Sequence, residues 1–274
     1  MKSAVTVSLV PEAAGGPFVF WSGLEDAFQK AAQFGFDGLE IFPPDPSALD
    51  IPVVRELSDR FKVSVAAVGT GAGWVKHKLH LCHPDLDVRV KARDFIVSMV
   101  RRAGQLGAPA ILGSMQGRVE PGIERSLALD WLAEGLGVAE AAAAELGVSF
   151  FYEPLNRYET NLFNRQLDAA AFLSERSLGG VRILADLFHM NLEEDNLPET
   201  ILALGPALGH LHFADSNRRA IGFGHTQASE IIEALRRINY GGFLSAEVLP
   251  LPDSDSAARR TIQSFRALTS AAGA

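Results

Sequence analysis

Residues 110–153, AILGSMQGRVEPGIERSLALDWLAEGLGVAEAAAAELGVSFFYE, contain the pattern that decides the fold. A short run of apolar residues, Ala110–Gly113, leads through turn residues into a long stretch of strong helix formers with helical periodicity, Ile123–Leu146. Gly147 ends that stretch, and a second short run, Val148–Glu153, follows. Reading outward, the same alternation continues in both directions. Strand-like runs occur at Val5–Val10, Gly38–Phe42 and Val63–Val68 before it, and at Arg182–Asp186, His210–Ala214 and Phe243–Val248 after it. Helical patterns include Leu24–Phe34, Val88–Leu106, Leu167–Ser174 and Ala228–Ile238. Gly35, Gly107, Gly147 and Gly241 stand between helix and strand, where a left-handed residue commonly ends a helix. Strands that alternate strictly with helices form a parallel sheet covered by helices. Eight such units predict an α/β protein, a (β/α)8 TIM barrel, with a doubly wound open sheet as the rival.

The chain has 274 residues, and an eight-fold α/β barrel takes roughly 250. No linker, charge block or change of composition divides it, so residues 1–274 are expected to form a single barrel domain. Hydrophobic residues make up 47% and charged residues 21%, enough for a substantial core and unlike a disordered chain. A net charge of -8 speaks against a grip on nucleic acid or on an anionic membrane and favours a small-molecule partner. Cys82 is the only cysteine, which forbids an internal disulfide and suggests a small buried hydrophobe. The first residues are too short an apolar run for a signal-peptide core, and no uncharged stretch reaches the roughly 18 residues of a membrane helix. The expected location is the cytoplasm.

In a βα barrel the active site lies at the carboxyl ends of the strands. Four consecutive runs carry ionisable residues there: Glu153 ends one, Asp186 the next, His212 lies in HLHF, and Glu247 follows FLSA. Each alone would pass for a helix cap or a salt-bridge partner. Together they would point three carboxylates and one imidazole at a common axis, where repulsion would force protonation of one or more unless a cation is shared. Oxygen-rich ligation with one His suits Mn²⁺, Mg²⁺ or Co²⁺, and Zn²⁺ stays open.

The segments YEPLNRYETNLFN, ILADLFHMNLEE, HLHFADSNR and GFLSAE resemble the D-tagatose/D-psicose 3-epimerase group of the xylose-isomerase-like barrels, strongly over about residues 148–250 and more diffusely elsewhere. The resemblance implies that Glu153, Asp186, His212 and Glu247 hold a divalent metal, Mn²⁺ first among the candidates. It implies that Glu153 and Glu247 also move protons, and that Glu159, His189 and Arg218 hold substrate oxygens. It further implies a homo-oligomer, dimer or tetramer. GTG at Gly69–Gly71, the stretch ending at Pro84 and VLPLP at Val248–Pro252 are similar to a keto-uronate (5-keto-L-gluconate) epimerase branch.

The implied reaction is epimerisation of the carbon beside the carbonyl of a small ketose or keto-sugar acid through a cis-enediolate, with the two glutamates as acid and base. Glu159 and Arg218 read equally well as loop ion-pair residues, and His189 as a capping or core histidine. Arg118, on the loop after Ala110–Gly113, is either a carboxylate partner for a sugar acid or a plain surface charge. Phe18, Phe20, Trp21 and Trp74 are expected to cover a sugar or to pack against the rim or a second subunit. Aldose–ketose isomerisation of the inosose or hydroxypyruvate type shares the same intermediate. An endonuclease IV-like repair enzyme would want more metal-binding residues than a chain with seven His offers, and a basic face. Gly69–Gly73 lacks the spacing of a dinucleotide loop. A barrel that only binds a sugar is the third class.

Overall fold

The computed structural model describes residues 1–270. Eight parallel strands form a closed barrel in sequence order: β1 (Lys2–Ser8), β2 (Gly38–Phe42), β3 (Ser64–Gly69), β4 (Ala110–Leu112), β5 (Phe150–Tyr152), β6 (Val181–Asp186), β7 (Leu208–His212) and β8 (Phe243–Ala246). Closure is made by β1 beside β8, with Lys2 opposite Phe243 and Val5 opposite Ala246. The helices are α1 (Leu24–Phe34), α2 (Ile51–Phe61), α3 (Ala72–His77), α4 (Leu86–Gln105), α5 (Arg125–Ala144), α6 (Gln166–Glu175), α7 (Leu187–Glu193), α8 (Leu197–Leu204), α9 (Ala228–Arg237) and α10 (Ser254–Ser270). Among the described residues no helix is long and apolar enough to cross a membrane.

Strand alternation sorts the side chains into two cores. Val5, Val7, Leu39 and Ile41 belong to the large buried layer between strands and helices, which also takes Leu132, Leu136 and Ala139 of α5 and Ile231, Ile232 and Leu235 of α9. Ala67, Ile111, Phe151 and Leu184, from β3 to β6, form a separate apolar cluster inside the barrel. Opposite them the interior is polar. Thr6 of β1 donates to the Ala246 carbonyl at 2.8 Å, and Glu40 of β2 reaches His210 and His212 of β7. This polar half leads to the strand ends where the candidate site lies.

Several boundaries differ from the sequence reading. β1 begins at Lys2 and stops at Ser8, and β7 stops at His212 rather than Ala214. β5 is only three residues long, so Glu153 stands just past its end, as Glu247 does past β8. Gly35, Gly107 and Gly147 are left-handed as expected, but Gly241 is not. After α9 the left-handed position falls on Asn239 (φ 53°), a residue type that tolerates it. Cys82 is fully buried, and its thiol donates to the Ala128 carbonyl at 3.3 Å.

Candidate active site

Glu153 leaves the end of β5 with its backbone tied on both sides. Its N–H donates to the Leu112 carbonyl at 3.0 Å, and its carbonyl accepts from the Gln116 amide at 2.9 Å. Gln116 is itself held by the Tyr152 hydroxyl at 2.8 Å. Gly113 lies so close to the Glu153 carboxylate that a Cβ there would collide with it, which is why β4 is followed by a residue without a side chain.

Asp186 ends β6 and divides its two oxygens. Oδ1 accepts the Phe188 N–H at 2.7 Å and so caps α7, while Oδ2 faces His212 Nδ1 at 3.3 Å. The same His212 Nδ1 is 3.4 Å from Glu153 Oε1 and 3.6 Å from Glu247 Oε2. Glu153, Asp186 and His212 are buried, and one ligand atom from each of the four residues lies within 4.8 Å of all the others.

The far side of the His212 ring decides its tautomer. Glu40 Oε1 lies 3.1 Å from His212 Nε2, and Glu40 Oε2 lies 2.9 Å from His210 Nε2. Burial alone would raise the Glu40 carboxyl, but the two imidazoles hold it well below the usual carboxylate range. An ionised carboxylate only accepts, so both Nε2 atoms are donors. His212 Nδ1 then presents its lone pair to three carboxylates, an arrangement resolved by a shared cation or by a proton on Nδ1. With the proton as the only remedy, burial opposes the charged ring but Glu40 and Glu247 drive its pKa well up. Burial also pushes Glu247 up. His212 and Arg218 pull it back, Glu153 and Asp186 push it again, and it stands at about 7. The donor set, one imidazole nitrogen and three carboxylates on fixed strand ends, fits a hard divalent cation.

Around this cluster stand further polar groups. His189, in the first turn of α7, has Nδ1 at 2.7 Å from the Asn156 side-chain amide, which makes that nitrogen the acceptor. Its Nε2–H is buried, points to within 3.7 Å of Asp186 and 3.8 Å of Glu153, and has no hydrogen-bond partner among the described residues. Arg218 sits at φ 57° with its guanidinium over the Phe188 ring, Nη2 at 2.5 Å from Glu247 and Nη1 at 3.7 Å from Glu159. The loop that carries it is folded around Asp215, whose carboxylate accepts from the backbone N–H groups of Ser216, Gly222, Gly224 and Thr226 at 2.7–3.0 Å.

The strand ends open into a cavity of about 330 Å³ lined by Glu153, His189, His212, Arg218, Glu247, Glu159, Phe18 and Trp74. That volume lies within the usual range of small-molecule sites. Three further residues singled out in the sequence lie outside this cavity. Phe20 is a core residue beside β1, and Trp21 is edge-on to Phe18 with its indole N–H on the Phe18 carbonyl, so neither lines the cavity. Arg118 is exposed and lines an adjoining cavity instead.

The model of the xylose isomerase-like TIM-barrel family matches residues 28–268. The chain belongs to that family. Within it, the chain is 33% identical over 224 residues to a D-psicose 3-epimerase of Ruminiclostridium cellulolyticum, covering 80% of this chain and 76% of that one. It is 30% identical over 240 residues to a 3-dehydro-D-guloside 4-epimerase of Escherichia coli, covering 83% and 88%. The apo crystal structure of a 3-keto-D-glucoside 4-epimerase from E. coli superposes with a TM-score of 0.80 over 98% of this chain and 100% of that one. At 23% identity that likeness shows the fold alone. In this member of the xylose isomerase-like family, sequence reasoning missed Glu40 and His210. The available signal was a lone Glu inside the apolar run GLEIF, and two histidines two residues apart, which a strand places on one face.

Proposed function

We propose that the protein is a divalent-metal-dependent carbohydrate epimerase that inverts the carbon beside the carbonyl of a ketose or a keto-sugar. The observation that carries this reading is the convergence of the Glu153, Asp186 and Glu247 carboxylates on His212 Nδ1, with Nε2 of that ring already engaged by Glu40. A cation held by these four residues, Mn²⁺ by our assignment, would supply Lewis-acid stabilisation of the negative charge that develops on the substrate's carbonyl oxygen.

The rest is done by side chains of the chain. Removing a proton from the carbon beside a carbonyl and returning it to the opposite face takes two bases. Glu153 and Glu247 come from strands three places apart in the ring and both line the cavity, which suits them to opposite faces of a sugar. The Nε2–H of His189, without a partner among the described residues, and the guanidinium of Arg218 are donors for the substrate's oxygens, and Arg218 also orients the Glu247 carboxylate. Phe18 and Trp74 shield the sugar from water on the open side. The relatives leave two forms of sugar in view, a free ketose and a keto-sugar carried as a glycoside.

The test is a turnover assay on a panel of free ketohexoses, 3-keto-pyranosides and keto-sugar acids, before and after chelation and after Mn²⁺ is restored. Epimer formation that chelation removes and Mn²⁺ returns supports the reading. Interconversion of an aldose with a ketose, without an epimer, transfers the site to isomerisation, and no product from any sugar overturns the reading.

A further inference from the structure

A second cavity of about 270 Å³ adjoins the first and shares Trp74, Ser114, Leu155 and Glu159 with it. We propose that this cavity is a subsite for the aglycone or second ring of a glycosidic keto-sugar, so that the substrate is a neutral keto-glycoside rather than a free ketose or a sugar acid. The inference rests on the epimerase reading and chooses among its substrate classes.

The lining of the second cavity is that of a carbohydrate site. Three rings border it: Trp74, His80, which meets Trp74 edge-on at 5.5 Å, and Tyr158. Flat aromatic faces suit the C–H faces of a pyranose, and amphipathic Tyr and Trp offer contact area at small entropic cost. Tyr158 is 77% exposed, the most open of the large exposed hydrophobic side chains among the described residues. Its neighbour Glu159 lines both cavities, so one loop after β5 borders both subsites. His80 is 2% exposed; its Nδ1 packs against Gly117, and its Nε2 lies 3.9 Å from Glu120, so the ring backs the cavity and fixes the Glu120 side of it.

Charge separates the neutral glycoside from the sugar acid. Arg118 shares the cavity with Glu120 and Glu159, two carboxylates against one guanidinium. The His80 ring adds no positive charge at neutral pH, because burial, with His83 beside it, lowers its pKa to about 4. With Glu159 also facing Arg218 Nη1 at 3.7 Å, a substrate carboxylate would meet no net positive charge in this cavity, whereas hydroxyl groups can donate to Glu120 and Glu159 and accept from Arg118. On this reading Arg118 donates to a hydroxyl of a neutral sugar rather than to a substrate carboxylate. The chemistry stays at the first cavity, where the keto ring lies; the second cavity takes only the substituent on its anomeric oxygen, and no bond is made or broken there.

The experiment compares kcat/KM of the Mn²⁺-loaded protein on a 3-keto-glucopyranoside bearing a second glucosyl unit, on a free ketohexose and on a 5-keto-hexonate, with deuterium uptake from D₂O as a common readout. The glycoside is expected to exceed the other two by at least tenfold. Tyr158→Ala and Glu120→Gln are expected to lower kcat/KM on the glycoside, mainly through KM, at least fivefold more than on the free ketohexose. Tyr158 is 77% exposed and the Glu120 side chain 30% exposed, and the free-ketohexose rate serves as the check on folding. Equal losses on both sugars, or preference for the keto-hexonate, overturn the subsite while leaving the epimerase reading in place. Deuterium uptake from no sugar overturns both.

Discussion

Replacing Glu40 by Gln tests how the barrel interior prepares the site. The substitution keeps the size and one acceptor oxygen, but it puts an NH₂ group where the second carboxylate oxygen stood. That amide would face an imidazole N–H, donor against donor, at a contact now 2.9 Å on the His210 side or 3.1 Å on the His212 side. One ring must then change tautomer or turn. If His212 changes, its proton moves to Nδ1, and the lone pair directed at Glu153, Asp186 and Glu247 is lost. Groups that orient a metal-binding imidazole in this way are worth about 10- to 100-fold in metal affinity. At about 1.4 kcal/mol per decade that is about 1.4–2.8 kcal/mol. We expect Mn²⁺ binding, followed by the electron paramagnetic resonance signal of the free ion, to weaken by that factor in Glu40→Gln. The metal-induced rise in melting temperature should shrink with it. Glu40→Leu removes the acceptor from both rings, and a Mn²⁺ affinity within twofold of wild type in both Glu40→Gln and Glu40→Leu would refute the argument that Glu40 sets the His212 tautomer.

Three further outcomes follow from the geometry. Burial raises the Asp215 carboxyl, but four backbone N–H donors outweigh it and bring its pKa to about 2, below its ordinary 3.8. A pKa depressed by folding stabilises the protein above about pH 4, and the contribution is lost as pH falls through that value toward 2. Urea unfolding of Asp215→Asn should therefore show a loss of about 1–2 kcal/mol at pH 7 relative to wild type that narrows below pH 4; a pH-independent difference would contradict it. Gly113→Ala places a methyl against the Glu153 carboxylate. It should lower kcat at least tenfold while leaving the free energy of urea unfolding within about 1 kcal/mol, and unchanged kcat would show that Glu153 can shift without cost. Burial pushes the Cys82 thiol up to about 12, so the native protein should leave a disulfide reagent unreacted for hours at pH 8, and rapid reaction would contradict its burial.

Much of the barrel was legible because its signals are local. Leu24–Phe34 carries its helical period to the residue, and the runs that hold Glu153, Asp186, His212 and Glu247 carry the polar residues that assemble into the cluster. Glu40 was not legible in the same way. Its environment is made by β7, which lies 170 residues away in sequence and meets it only across the barrel interior. Gly241 misled for a local reason, since an Asn two residues earlier takes the left-handed turn. Arg118 was correctly placed on a loop near the site, yet which of two adjoining cavities it borders depends on how the loops after β4 and β5 pack. That is a tertiary property without a sequence period. Phe20 and Trp21 illustrate the same limit: proximity to a strand end does not say whether an aromatic ring turns to the cavity or to the core.

The most direct test of the central claim incubates Mn²⁺-loaded protein with the sugar panel in D₂O and follows the carbons beside the carbonyl by NMR. The account predicts deuterium at one such carbon together with a new epimer in wild type, and neither in Glu153→Gln or Glu247→Gln at retained fold. Epimer formation that survives in both variants, or no exchange with any sugar despite bound Mn²⁺, would contradict it.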